Sequence, residues 1–78
     1  MKEVIVYGTR TCPPCNRTKQ FLADNNIDFT FYDVSQDSKK AEEMMKKSGR
    51  MVVPIIDIEG KIIVGFDQEE LSKTLELK

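Results

Sequence analysis

Two short apolar runs, "VIVY" (Val4–Tyr7) and "IDFTFYDV" (Ile27–Val34), stand on either side of a stretch of helix length. No other feature constrains the fold as much. A parallel return between strands needs a crossover of a dozen or more residues, usually a helix. The run Val4–Tyr7 has no polar position and is rich in β-branched residues, which predicts a central strand covered on both faces.

The crossover segment, "CPPCNRTKQFLADNN", supplies its own start and stop. Proline suits the first helical position, where its missing N–H would have no intrahelical partner. A helix is therefore predicted from about Pro13 to Asp24, with Asn25-Asn26 as its stop. Cys15, Thr18, Phe21 and Leu22 fall on one stripe of that helix, the stripe expected to face inward.

The rest of the chain continues the alternation. A second helix is predicted from about Ser38 to Ser48, with Ala41, Met44 and Met45 as its apolar face. Glu42–Lys46 and Glu43–Lys47 are spaced as ion pairs on the wet face, and the Lys46-Lys47 run reads as solvated. Gly49 is placed to take positive φ just past the helix end. "PIIDIEGKIIV" reads as a hairpin of strands Pro54–Ile58 and Lys61–Val64 around Glu59-Gly60. A last helix should start at Asp67, which forms a D-x-x-E capping pattern with Glu70 and buries Leu71 and Leu75.

The order βαβ-α-ββα predicts an α/β fold: a four-stranded mixed sheet, strand order 2-1-3-4, flanked by three helices. The last two strands are expected antiparallel to the first two. With 78 residues the chain reads as a single domain, residues 1–78, whose core is modest.

Charge narrows the possible partners. Twelve basic and thirteen acidic residues are interspersed and leave a net charge of −1, so no basic stripe offers itself to nucleic acid. No segment approaches the apolar length of a membrane span. The apolar run before Gly8 is too short for a signal peptide, which predicts a reducing, cytoplasmic setting. In such a setting a close pair of thiols points to catalysis or metal binding before structural bridging.

Cys12 and Cys15 are the chain's only cysteines. A bridge between them closes so short a loop that chain entropy contributes only about 2 kcal/mol, a weak structural reason for the spacing. Chemistry offers a stronger one. Cys12 sits where the helix N-cap should be, and a helix N-terminus favours thiolate, the nucleophilic form. Pro13 and Pro14 have no N–H, so the first amides available to the Cys12 sulfur are those of Cys15 and Asn16, with Arg10 and Arg17 as further sources of positive potential. Cys15 lies one turn in, on the inward stripe. Exposed Cys12 attacking a disulfide, and sheltered Cys15 resolving the mixed disulfide, is the chemistry this spacing serves.

Other uses of the pair lack partners. A zinc site wants four ligands, and the chain has neither histidine nor a third cysteine, so none is predicted within one chain. A cysteine hydrolase lacks its activating histidine for the same reason. The reading left beside thiol exchange is a dimer sharing a metal or iron–sulfur cluster through Cys12. Val53-Pro54, at the start of the third strand, can be either a tolerated strand-opening proline or a cis bond.

The order of "VIVY", "CPPC" opening a helix, "VVP" before the third strand and "GFD" before the last helix resembles the glutaredoxins and glutaredoxin-like proteins of the thioredoxin fold, over essentially the whole chain. The resemblance implies a dithiol–disulfide oxidoreductase with no bound cofactor, acting as a monomer on protein or glutathione mixed disulfides. Cys12 matches the attacking thiol and Cys15 the resolving one. Pro54 matches the family's cis-proline, and the backbone of Val53 would pair with the peptide part of a substrate. Phe66 and Asp67 match residues that grip the γ-glutamyl end of glutathione, and Tyr7 the aromatic that ends the first strand, which the resemblance implies is also at the substrate surface. Thr9 and Pro14 stand where glutathione-using members carry a lysine and a tyrosine, and Met51 where a basic residue is common. Two electron donors stay open on these grounds: glutathione, or a thioredoxin reductase recharging an electron donor to ribonucleotide reductase.

Overall fold

The computed structural model describes residues 3–76. Its elements are β1 (Val4–Gly8), α1 (Pro13–Asp24), β2 (Thr30–Asp33), α2 (Ser38–Ser48), β3 (Ile55–Ile58), β4 (Lys61–Val64) and α3 (Gln68–Thr74). The strands form one sheet in the order β2-β1-β3-β4. β1 pairs parallel with β2 and antiparallel with β3, and β3 pairs antiparallel with β4. This corrects the expected strand directions in one respect. β3 alone is reversed, because the hairpin turn sends β4 back parallel to β1 and β2.

The two faces of the sheet follow from side-chain alternation along β1. Val4 and Val6 join Ile56, Ile58 and Ile63 beneath Leu22 of α1 and Leu71 of α3. Tyr7 joins Ile55 on the other face, against Met44 of α2, with Ile5, Tyr32, Val34, Val53 and Ile62 packed around them. β1 is thus covered on both sides, as an uninterrupted apolar strand requires.

Local signals fix most element ends. Asp37 caps α2 by accepting from the amides of Lys39 (3.1 Å) and Lys40 (3.2 Å). Gly49 ends the same helix at φ +71°, a conformation in which a Cβ would crowd the backbone. Asp67 caps α3 through the Glu70 amide at 3.1 Å.

The start of β2 departs from expectation. Ile27 to Phe29 are not strand, because the end of α1 claims the chain there. Asn26 takes φ +57°, its amide bonds the Ala23 carbonyl at 3.0 Å, and the Ile27 amide reaches back to the Leu22 carbonyl at 2.9 Å. This is the paired closure of a left-handed helix terminus. It turns Ile27 and Phe29 down against the α1/α3 core and delays pairing with β1 until Thr30. α2 brings a second correction. Met44 is buried, but Met45 is 42% exposed. Lys47 stays exposed and lies 3.9 Å from Glu43, as its spacing predicts, and it also reaches Asp57 of the sheet at 2.7 Å.

Candidate active site

The sheet collects four connections at one end. β1 and β2 are parallel, so Gly8 and Asp33 finish there together. β3 is antiparallel to β1, so Val53-Pro54 enters β3 beside Tyr7, which is paired with Ile55. Ile55 is in turn paired with Val64, so the segment Gly65–Asp67 leaves β4 at the same end. Backbone bonds join these connections: the Val34 amide donates to the Gly8 carbonyl at 2.9 Å, and the Gly65 amide to the Pro54 carbonyl at 2.8 Å. Arg10 reaches Asp33 at 3.4 Å, where the Ser35 hydroxyl and this guanidinium hold the Asp33 carboxyl below the usual carboxylate range.

Cys12 stands at the mouth of α1. Its backbone is extended (φ −91°, ψ 111°), and its sulfur accepts the Cys15 amide at 3.3 Å. Pro13 and Pro14 fill the first two helical positions and present no N–H. The Asn16 amide, the other donor expected to face the sulfur, closes instead on the Cys12 carbonyl at 3.0 Å. A single backbone amide therefore addresses the Cys12 sulfur from the first turn. Arg10 adds little potential there, since its guanidinium is committed to Asp33.

Cys12 is partly exposed and Cys15 fully buried; both are free thiols. Burial pushes the Cys15 thiol up to about 11, and its hydrogen bond with the Cys12 sulfur works in the same direction. Cys15 is thus held as a neutral thiol directly behind an accessible sulfur. The turn that carries them is tied by the Thr18 hydroxyl, which donates to the Pro14 carbonyl at 2.9 Å.

The remaining residues singled out from the sequence divide into two groups. Thr9 accepts the Cys12 amide at 3.5 Å, and Pro14 lies between the cysteines, so both border the thiol pair. Val53-Pro54 is a cis peptide, with Pro54 buried and Val53 half-buried. The Phe66 ring packs edge-on against Phe21, centroids 6.1 Å apart, while the exposed Asp67 spends one carboxylate oxygen on the α3 cap. Met51 (65% exposed) and Val52 (45%) form an apolar rim just before the cis peptide.

Tyr7 stands apart from these. Expected at the substrate surface, it is fully buried on the α2 face of the sheet. Alternation decides this: Gly8 faces α1, so its neighbour Tyr7 must face α2. Its hydroxyl donates to Glu43 and accepts from Lys47 at 2.9 Å, and Lys47 also donates to the buried Asp57 at 2.7 Å. Burial, with Glu43 adding to it, holds the Tyr7 hydroxyl above its ordinary range. Hydrogen bonds to Asp57 and Tyr7 do the same for Lys47. Tyr7 thereby ties α2 to the sheet beneath the site.

Three neighbours of Cys15 escaped sequence reasoning. Gly8, just outside the predicted strand Val4–Tyr7, is the last residue of β1 and packs on the Cys15 sulfur. Phe31 of β2 lies against the same spot, and Lys19 of α1 holds its ammonium 4.1 Å from the Phe31 ring centroid. Only the strand ending at a glycine, one short loop before the first cysteine, hints at this in the sequence.

Among the described residues, no group of three or more His, Cys, Asp or Glu side chains is placed to hold a metal ion. The family model described as Glutaredoxin matches residues 4–63.

The chain belongs to the glutaredoxin family.

Its relatives agree. An uncharacterized glutaredoxin-like 8.6 kDa protein in the rubredoxin operon of Clostridium pasteurianum is 46% identical over 71 residues, covering 91% of this chain and 95% of the relative. Glutaredoxin 3 of Escherichia coli K12 is 39% identical over 67 residues, covering 86% and 81%. Among solved structures, a glutaredoxin from Archaeoglobus fulgidus superposes with a TM-score of 0.87 at 31% identity, over 96% of this chain and 87% of that one. Membership of this family makes the Cys12/Cys15 protein a thiol–disulfide oxidoreductase of thioredoxin fold.

Proposed function

We propose that the protein carries electrons to disulfides of partner proteins by dithiol exchange, as a monomer in the cytoplasm, with glutathione as its reductant. One observation carries the reading: the partly exposed Cys12 sulfur, addressed by the Cys15 amide, has the buried Cys15 thiol directly behind it. The Cys12 thiolate attacks one sulfur of the client disulfide and forms a mixed disulfide, and the other client sulfur leaves as a thiolate. Cys15 gives up its proton and attacks the Cys12 sulfur. The second client sulfur departs, and a Cys12–Cys15 disulfide remains. Two electrons and two protons have passed to the client. Two molecules of glutathione then return the pair to thiols and leave as one glutathione disulfide.

The exposed Met51 and Val52 support a protein client, since an apolar rim suits a polypeptide surface better than a small polar thiol. Phe66 and Asp67, by their likeness to the γ-glutamyl grip, support glutathione as reductant. Thr9 and Pro14 support a second reading, in which a thioredoxin reductase supplies the electrons to a protein serving ribonucleotide reductase. The deciding experiment gives the protein insulin or a mixed disulfide as substrate. It is driven in parallel by glutathione with glutathione reductase, and by thioredoxin reductase with NADPH. Turnover with glutathione alone supports the first reading, and turnover with thioredoxin reductase alone replaces it with the second. Failure with both would remove the proposal.

A further inference from the structure

We propose that Gly8 is a positioning residue for the resolving thiol: its missing side chain is the space that the reduced Cys15 sulfur occupies. A Cβ at this position would drive the pair toward its disulfide. The inference rests on the dithiol reading above.

A Cβ built on Gly8 would lie 2.6 Å from Cys15 Sγ, 3.1 Å from Cys15 Cβ and 3.2 Å from Phe31 Cε1. The first distance is far inside van der Waals contact, so something must move. The backbone gives no other reason for glycine here. Gly8 is an extended strand residue paired with Asp33, a conformation open to any residue. The demand at this position is for room.

The walls of that room differ in how far they can yield. The Phe31 ring is backed by the Lys19 ammonium, 4.1 Å from its centroid, so moving the ring disturbs that contact as well. The first turn of α1 is tied by the Thr18–Pro14 bond, and Leu22 anchors the helix in the core. The Cys15 sulfur moves most freely, because rotation about one side-chain bond carries it. The Cys15 sulfur already hydrogen-bonds the Cys12 sulfur, so in this proposal a Cβ on Gly8 presses it further toward that partner. Disulfide formation requires the same displacement. Oxidation replaces two S–H bonds by one S–S bond and passes two electrons and two protons to the acceptor. With glutathione disulfide as acceptor, two glutathione thiols form. A substitution that crowds the reduced pose and spares the bonded one therefore shifts this equilibrium toward the disulfide.

The test equilibrates the full chain and Gly8→Ala in buffers of reduced and oxidised glutathione. Free thiols are trapped with an alkylating reagent, and the Cys12–Cys15 disulfide is quantified by mass. The equilibrium constant for disulfide formation is expected to rise tenfold or more in Gly8→Ala, about 30 mV in potential. A constant within twofold of the unsubstituted protein, or a lower one, would overturn the inference. Thermal unfolding of the reduced proteins gives a second measure that does not depend on redox chemistry. Gly8→Ala should lower the midpoint in the presence of Cys15, and most of that loss should vanish in a Cys15→Ala background, where the obstructing sulfur is gone. Equal losses in both backgrounds would count against it, as they would place the collision elsewhere. If the unsubstituted protein formed no Cys12–Cys15 disulfide at all, the dithiol reading would fall and this inference with it. Failure of the Gly8 variant alone leaves that reading standing.

Discussion

The backbone amide of Cys15 points at the sulfur of Cys12 from 3.3 Å, across two prolines that have no amide to offer. One N–H thus serves the attacking sulfur, and it belongs to the residue whose side chain resolves the intermediate. The two cysteines are unequal partners: one meets solvent, and the other is sealed behind it.

That inequality predicts different failures. Cys12→Ser should abolish disulfide reduction with any donor, a loss of at least a thousandfold, because a serine hydroxyl is far too weakly acidic to replace a thiolate. Cys15→Ser should lose protein-disulfide reduction but retain exchange with glutathione mixed disulfides, which needs only the first thiol. Steady-state rates on both substrate types distinguish the variants. Cys12→Ser activity above background would refute the assignment of roles.

The Cys15 thiol also predicts a pH dependence of stability. Its ordinary value of 9.0 rises to about 11 on folding. The folded protein therefore holds this proton where the unfolded chain has released it, and stability must fall as pH rises through that interval. Below about pH 9 the contribution is fully present; between about 9 and 11 it is lost, on the order of 1 kcal/mol per pH unit. Tyr7 and Lys47 are also raised, so the decisive quantity is the difference from Cys15→Ala. Urea unfolding of both reduced proteins should show their stability difference changing across this window, with the unsubstituted protein losing more. Parallel curves would contradict the assigned burial.

Lys47 and Asp57 form a second pair whose burial sets its worth. The Asp57 side chain is 11% exposed and that of Lys47 32%, with 2.7 Å between their charged atoms. Lys47→Met would leave the Asp57 carboxylate facing the interior with the Gly60 amide, 2.8 Å from its other oxygen, and would also take a partner from Tyr7. Uncompensated burial of this kind costs several kcal/mol; partial exposure of the lysine brings the expected loss to about 2–3 kcal/mol. A denaturant midpoint reporting less than about 1 kcal/mol, the range of a surface pair, would show the network to be ornamental.

Asp67 joins stability to substrate capture. Asp67→Ala removes the cap at the start of α3 and should cost about 1 kcal/mol, read from the thermal midpoint. If glutathione is held at this corner, the same variant should raise KM for glutathione several-fold while leaving kcat for a protein disulfide near its original value. Asp67→Asn, which keeps the cap, should recover the stability but not the affinity. Unchanged KM in both variants would move glutathione away from Asp67.

Features that depend on neighbours a few positions away were legible from the residues alone. Prolines at the first helical turn, a glycine after Ser48 and a turn at Glu59-Gly60 are local signals. The expected bounds of α1, α2 and β4 accordingly coincide with the observed ones. The placement of Cys12 at a helix start with Cys15 one turn behind was legible for the same reason. The start of β2 was not, because whether Ile27 continues a strand or closes a helix depends on the conformation of Asn26.

Tertiary structure alone decided what lies across the sheet. Tyr7 finds Glu43 and Lys47 some forty positions away, Lys47 meets Asp57 as well as Glu43, and Gly8 meets Cys15 and Phe31 from two other elements. The physical reason is that apolar pattern fixes which residues turn inward, whereas strand register and helix docking fix whom they meet there. Charge, hydrogen bonding and a gap one side chain wide acquire their meaning only from that second choice.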